Sequence, residues 1–481
     1  MQIPEGYILI KQEEYDRLNE DIRILKETIA LLNEKLAKLS KTSINSSKPP
    51  SSDLVKQNHK NDKEKKGKIG GQVGHPKHER KLFSQEDIHH VVEYNLTECP
   101  LCHSSVEIDF SIEPKIIQQA EIINFPIQIE EHKSYAYWCE NCQKYHYAEF
   151  PPEVIKAGLF KAKITSLVAY MKNVCHCSFS NIRKYFRDVL LIKVSRGYLS
   201  KIIQKVSNSL EWSYNELLNI LPLANKVNVD ETSHKENGDL FWTWVFKTDL
   251  FVLFKIDKSR GSNVLIDVLG EEFNGVLGCD YFSAYRKYMK DFNIIIQFCI
   301  AHLIRDIKYL TSLTDAETKE YGEKLLLSVR ELFKIIHEKD NMTEQIFIAQ
   351  LIQAKENILS IAIEKAPVFL GKDGKVMQGK SEVKNMVKRF TDNGKAYFEF
   401  ITSPGVDPTN NTAEQAIRFV VIDRHVTQGT RSIKGRNANE RLWTVIATCS
   451  LQRKSAFEFI LKSVRAYFNY QLFPSLIPNT S

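Results

Sequence analysis

Three acidic residues sit where a carboxylate can be aimed into a cleft: Asp230 in KVNVDET, Asp280 in GVLGCDYFSAY and Glu414 in PTNNTAEQAIR. The first two close short, apolar, β-branched runs, and the third falls in a helix-like stretch. A strand end is rigid enough to hold a side chain in one direction. Three carboxylates converging there can hold two divalent cations about 3.5–4 Å apart, the arrangement that drives in-line attack on a phosphodiester. Magnesium suits such an all-oxygen site. In this reading Asp230 ligates both ions, while Asp280 and Glu414 each complete one. Glu231 would face the other side of a strand and is expected to be structural. Asp257, Asp267 and Asp291 are the competing acids.

The elements that must position this trio lie within residues 226–450. Val227–Val229, Leu240–Lys247 and Phe251–Ile256 read as strands, and Asn237-Gly238 is a hairpin turn. A helix at Ser262–Leu269 leads to a fourth strand, Gly275–Cys279, and another helix leads to a fifth, Ile294–Cys299. Three strands in hairpin order followed by crossovers predict a mixed sheet of the ribonuclease H type. Asp230 would then end the first strand and Asp280 the fourth, on neighbouring strands. The charged, helical stretch from about 315 to 400 reads as an insertion, and Pro404 and Pro408 mark the loop that re-enters the core. Residues 451–481 form a C-terminal helical segment.

Upstream, Tyr15, Leu18, Ile22, Leu25, Ile29, Leu32, Leu36 and Leu39 step by three and four. This is an a/d seam favouring a parallel two-stranded coiled coil within residues 1–42, and hence a homodimer or larger assembly through residues 15–39. Residues 43–90 form a Ser/Pro-rich and then basic linker. Nine Lys/Arg against three acids between positions 56 and 81 leave +6 of the net +7, a tether suited to phosphate backbones. Residues 91–150 carry Cys99-x-x-Cys102 and Cys139-x-x-Cys142, four thiolates for a closed structural zinc site, with His103 as a substitute ligand. Residues 151–225 are helical, and Tyr198, Ser200 and Lys201 would face DNA if Ser178–Ile192 and Tyr198–Val206 form a helix-turn-helix. The close pair Cys175 and Cys177 is expected to be buried structural thiols. No apolar run approaches a membrane span and no basic leader precedes one. Nine cysteines then point to reduced thiols and a cytoplasmic chain.

The linker NSSKPPSSD, the element GGQVGHP, both CxxC knuckles, VDET, CDYFSAY, CIAHLIRD and the block DPTNNTAEQAIRFVVIDRHVTQGTRS together resemble the insertion-sequence-66 family of bacterial DDE transposases. The resemblance spans about residues 15 to 450. It implies a multidomain α+β chain whose ribonuclease H-like core holds Asp230, Asp280 and Glu414 as a magnesium triad. It also implies double-stranded DNA, as element ends and target, as the substrate, a nucleoid-associated bacterial setting and accessory transposition proteins. It draws attention to Cys299-x-x-His302, for which a packing role and a metal role both stand, with Arg305 as the basic residue that follows. Arg418 lies one helical turn from Glu414. Arg418, Arg424, His425, Arg431, Lys434 and Arg436 are read as DNA-phosphate contacts. The competing readings are a catalytically inert DNA-binding or architectural protein and a nuclease that cuts without joining.

Overall fold

The computed structural model describes residues 10–39, 84–88, 91, 101, 103, 127–134, 136–139, 144–147, 149–367 and 381–478. Helix α1, Gln12–Leu39, presents its seam to solvent. Tyr15, Leu18, Ile22, Leu25, Ile29 and Leu32 are 47–60% exposed, so no described residue covers the apolar stripe. Strands β1 (Ala136–Cys139) and β2 (Lys144–Tyr147) form an antiparallel pair in which Cys139 ends β1. Cys99, Cys102, Cys142 and the side chain of Cys139 lie outside the described residues, as does most of the basic linker.

Five strands form the central sheet: β3 (Lys226–Glu236), β4 (Asp239–Lys247), β5 (Val252–Asp257), β6 (Val276–Cys279) and β7 (Ile296–Phe298). Their order is β5-β4-β3-β6-β7, with β3, β4 and β5 antiparallel and β3, β6 and β7 parallel. This mixed sheet is compatible with a ribonuclease H-like core. One expectation changes: β3 does not stop at Asp230. The Asn237-Gly238 turn, with both φ angles positive, closes a hairpin whose ladder runs unbroken from Asn228↔Lys247 to Glu236↔Asp239. The apolar run marked only the first half of the strand, because its second half (ETSHKE) is polar.

The helices before the sheet are α2 (Pro152–Ala157), α3 (Ala162–Asn173), α4 (Phe179–Asp188), α5 (Arg196–Ser209) and α6 (Glu211–Ile220). Within and after it come α7 (Asn263–Leu269), α8 (Ser283–Phe292), α9 (Ile300–Thr311), α10 (Ala316–His337), α11 (Glu344–Ile363), α12 (Ser381–Asn393), α13 (Asn411–Thr427), α14 (Ile433–Leu451) and α15 (Ala456–Asn469). Helices α10–α12 lie in the stretch expected to be an insertion. Helix α11 is long and apolar enough by composition to cross a membrane, but Leu351, Ile358 and Ala362 are buried and it packs on α10 and α12.

Helices α13 and α14 cover one face of the sheet. Phe241, Val245, Phe254, Ile256, Ile417, Val420 and Trp443 form one apolar cluster there. The outer edge of β5 needs partners for its free N–H groups. Helix α14 supplies them at successive turns: Val252 N donates to Thr448 Oγ1 (3.1 Å), Phe254 N to Thr444 Oγ1 (2.9 Å) and Ile256 N to Glu440 Oε1 (2.6 Å). Helix α5 packs against α3, α14 and α15, burying Leu199, Ile202, Ile203 and Val206. Seven residues, 189–195, separate α4 from α5, more than the three or four of a helix-turn-helix. Ser200 and Lys201 are exposed, whereas the Tyr198 hydroxyl accepts from Leu159 N (3.1 Å) and its ring packs edge-on against Phe160. Cys175 is exposed and Cys177 half-buried, so the expectation of buried thiols fails. Both lie in the loop between α3 and α4 rather than on a core-facing helix.

Candidate active site

The sheet register brings the two aspartates together. Strands β3 and β6 run parallel with Lys226↔Val276, Val227↔Leu277 and Asn228↔Gly278 paired. Asp230 and Asp280 each follow the last of these pairs by two residues, so they leave the ladder side by side. Asp230 lies inside β3 and Asp280 one residue beyond β6. Asp230 Oδ1 accepts from Glu231 N and Asp280 Oδ1 from Phe282 N, each at 2.9 Å, so both carboxylates are oriented by neighbouring backbone.

Glu414 is brought in by α13, and one asparagine fixes that helix. Asn410 occupies the N-cap position but does not cap with its side chain. Its Nδ2 instead donates to Val229 O (2.7 Å), its Oδ1 accepts from Asn228 Nδ2 (2.9 Å), and its backbone N donates to Cys299 Sγ (3.1 Å). Buried to 2% exposure, Asn410 ties α13 to β3 and to the end of β7. Ile300 N donates to Pro408 O (2.9 Å) and pins the entering loop. Gly278 makes room for the clamp, since a Cβ there would lie 2.4 Å from Asn228 Nδ2. Glu414 is one turn further along, in the first turn of α13.

The electrostatics register the convergence. Burial pushes the Asp230 carboxyl well above its ordinary range, and the charges of Glu231, Asp280 and Glu414 push it further. Burial and then the Glu231 charge raise Asp280 to about 7, against the opposing pull of the Phe282 amide, Arg260 and Arg389. A crowded set of oxygen ligands that resists ionising is what a hard divalent cation would relieve, and the donor set fits magnesium. None of the competing acids joins it. Asp257 accepts from Ser259 N (2.7 Å), Asp267 is exposed, and Asp291 pairs with Lys287 (2.6 Å).

The Glu231 side chain is 2% exposed and borders the two aspartates, but its oxygens are taken by other partners. Its Oε1 accepts from Arg260 Nε (3.0 Å) and Nη2 (2.8 Å), and its Oε2 from the Tyr285 hydroxyl. The Arg260 guanidinium in turn lies over Trp242 (4.3 Å) and Phe282 (4.1 Å).

Helix α9 brings the C-x-x-H pair to Glu414. Cys299, His302 and Glu414 each place a ligand atom within 4.8 Å of the others, and His302 Nδ1 is 3.5 Å from Glu414 Oε1. Arg305 Nη2 is 3.3 Å from the same oxygen. Burial, with Arg305 alongside, lowers His302 to about 4, so its ring is neutral. A mixed sulfur, nitrogen and oxygen set suits a transition metal better than magnesium.

Of the basic residues expected near the cut, Arg418, His425, Arg431 and Lys434 are exposed. Arg424 and Arg436 are engaged within the chain. Arg424 Nη1 donates to Thr232 Oγ1 (3.1 Å) and Ser233 Oγ (3.0 Å), while Arg436 lies 3.6 Å from Glu236 Oε2 and over the Phe241 ring. Asn410, Asn228, Arg260 and Arg389 were not singled out from the sequence. Asn410 alone had a local cue, the Pro-Thr-Asn-Asn start of a helix; the other three acquire meaning only through partners far along the chain.

A model for a family described as Transposase IS66 family matches residues 157–438, more than half of the chain. A second model, for a family of unknown function (DUF6444), matches residues 5–81. No curated protein matches the chain.

Proposed function

The chain belongs to the IS66 transposase family, and from that premise we propose that it is a DDE transposase that cuts DNA at the ends of its own element and joins the freed 3′ ends to target DNA. The observation that carries this reading is the convergence of Asp230, Asp280 and Glu414 on one crowded acidic centre. Two magnesium ions held by these carboxylates would lower the pKa of the attacking water or 3′-hydroxyl and neutralise charge on the phosphorane. The chain's own contribution is position. The Glu231 and Phe282 amides orient the two aspartates, and the Asn410 clamp sets Glu414 against them. Arg305 holds the Glu414 carboxylate, with the neutral His302 ring packed 3.5 Å from the same oxygen, a positioning role for this stretch of α9. Arg418, His425, Arg431 and Lys434 are free to meet phosphates, and Arg424 and Arg436 would do so only after exchanging their present contacts. The zinc unit at Cys99, Cys102, Cys139 and Cys142, and the basic linker, add structural and sequence-blind DNA-binding roles.

The seam of α1 fits a second copy of this chain, which would hold two element ends together. Leu25→Lys is expected to convert a dimer into a monomer by light scattering; an unchanged mass would exclude the α1 seam as the contact. Labelled duplexes of the element's ends, mixed with full-length protein and magnesium, test the function. We expect retarded DNA that is also nicked and then joined to a second duplex. Retardation without breakage would instead establish an inert binder, and breakage without joined products a nuclease.

A further inference from the structure

A cavity of about 440 Å³ opens between α8, α9 and the insertion helix α12, beside the acidic centre, with Tyr281, Arg286, Asp306, Glu382, Asn385 and Arg389 in its lining. Tyr281 directly follows Asp280, and the Arg389 charge acts on Asp280. The guanidinium groups of Arg389 and Arg286 lie 4.0 and 4.6 Å from the Tyr281 ring centroid, and the Tyr281 hydroxyl accepts from Asn393 Nδ2 (2.8 Å). Arg389, 9% exposed, pairs with Asp306 through Nη1 (2.8 Å) and donates from Nε to the Tyr397 hydroxyl. Its Nη2 has no hydrogen-bond partner, nor has the buried Nε of Arg286. A buried donor left without an acceptor is costly, so two of them lining one cavity point to a ligand.

Charge decides which ligand. Among the described residues the lining carries Arg286, Lys388 and Arg389 against Asp306, Glu382 and Asp392, three of each sign, and Lys388 pairs with Asp392 at 2.8 Å. A phosphate gains no net attraction there and would meet three carboxylates. A nucleobase is neutral and flat, offers ring nitrogen and carbonyl acceptors to guanidinium N–H groups, and stacks on guanidinium planes. We infer that this cavity takes one unstacked base of the DNA strand next to the cut. The inference rests on the transposase reading and gives the insertion a task at that site: α12 supplies one wall of the base pocket and fixes the strand beside Asp280.

The test uses full-length protein and a set of element-end duplexes in which an abasic residue stands opposite each base in turn around the cut. At the extruded position the cost of unpairing disappears, so binding should tighten roughly tenfold, and at no other position. Arg286→Ala and Asn385→Leu should each reduce that gain to less than about twofold. Asn385 is exposed, so this variant keeps the test alive if Arg286→Ala fails to fold. Protein that binds and cuts the duplexes with no favoured position, or with the gain intact in both variants, overturns the pocket while leaving the transposase standing. Duplexes neither retarded nor cut would overturn both.

Discussion

At the scale of single residues, the acidic centre is held in an unfavourable state of charge. Asp280 is raised to about 7 from an ordinary 3.8, with burial and Glu231 as the causes. The folded chain therefore keeps a proton there, between about pH 4 and 7, that the unfolded chain releases. For an acid shifted upward, stability is greatest at low pH and is lost as pH rises through the folded value. In the presence of a chelator, Asp280→Asn should thus be more stable than the parent at pH 8, by about 2–4 kcal/mol, with the difference shrinking towards pH 4. His234 and His302, both lowered to about 4, work in the opposite direction over the same interval, but they are common to both proteins and cancel. Denaturant titrations at the two pH values measure this. A variant no more stable than its parent at pH 8 would mean that the aspartate is not strained by its neighbours.

At the scale of elements, function depends on how α13 docks on β3. Removing Asn410 would leave Val229 O and Asn228 Nδ2 buried without partners, each costing about 1–3 kcal/mol. Asn410→Ala is expected to lose about 2–4 kcal/mol of stability. It should also cut DNA on the order of 100-fold more slowly, because a carboxylate displaced by an ångström no longer meets its partners. DNA binding should be unaffected, since Asn410 is buried. Stopped-time cleavage assays well below the variant's melting temperature separate the two effects, and full activity in a destabilised variant would deny the clamp its positioning role. The hairpin turn and the crossover order were legible in the sequence because turn residues and periodicity are local. The length of β3 was not, since its polar half becomes a strand only by pairing with β4. Nor was the edge of β5, whose cover by Thr444 and Thr448 comes from residues 190 and 196 positions away.

At the scale of the whole molecule, the acidic centre draws on β3, the end of β6 and the start of α13, while the helices before and after the core pack on one another and on α14. The acids were conspicuous in the sequence because each stands in an unusual local setting, and strand order then predicted that two of them meet. What surrounds them could not be read. The Glu231–Arg260 pair, the neutral His302 beside Glu414 and the arginine cavity under α12 join residues from separate parts of the chain, and no spacing encodes them. Helix α15 likewise packs on α3 and α5, which precede the core. The central claim is that three carboxylates act as one centre on DNA. Asp230→Asn, Asp280→Asn and Glu414→Gln, assayed one by one with labelled element ends and magnesium, test it most directly. Each should bind the ends as the parent does and lose cleavage and strand transfer by roughly 1,000-fold or more, while Asp257→Asn stays within about threefold. Undiminished strand transfer by any one of the three would remove that residue from the centre and contradict the account.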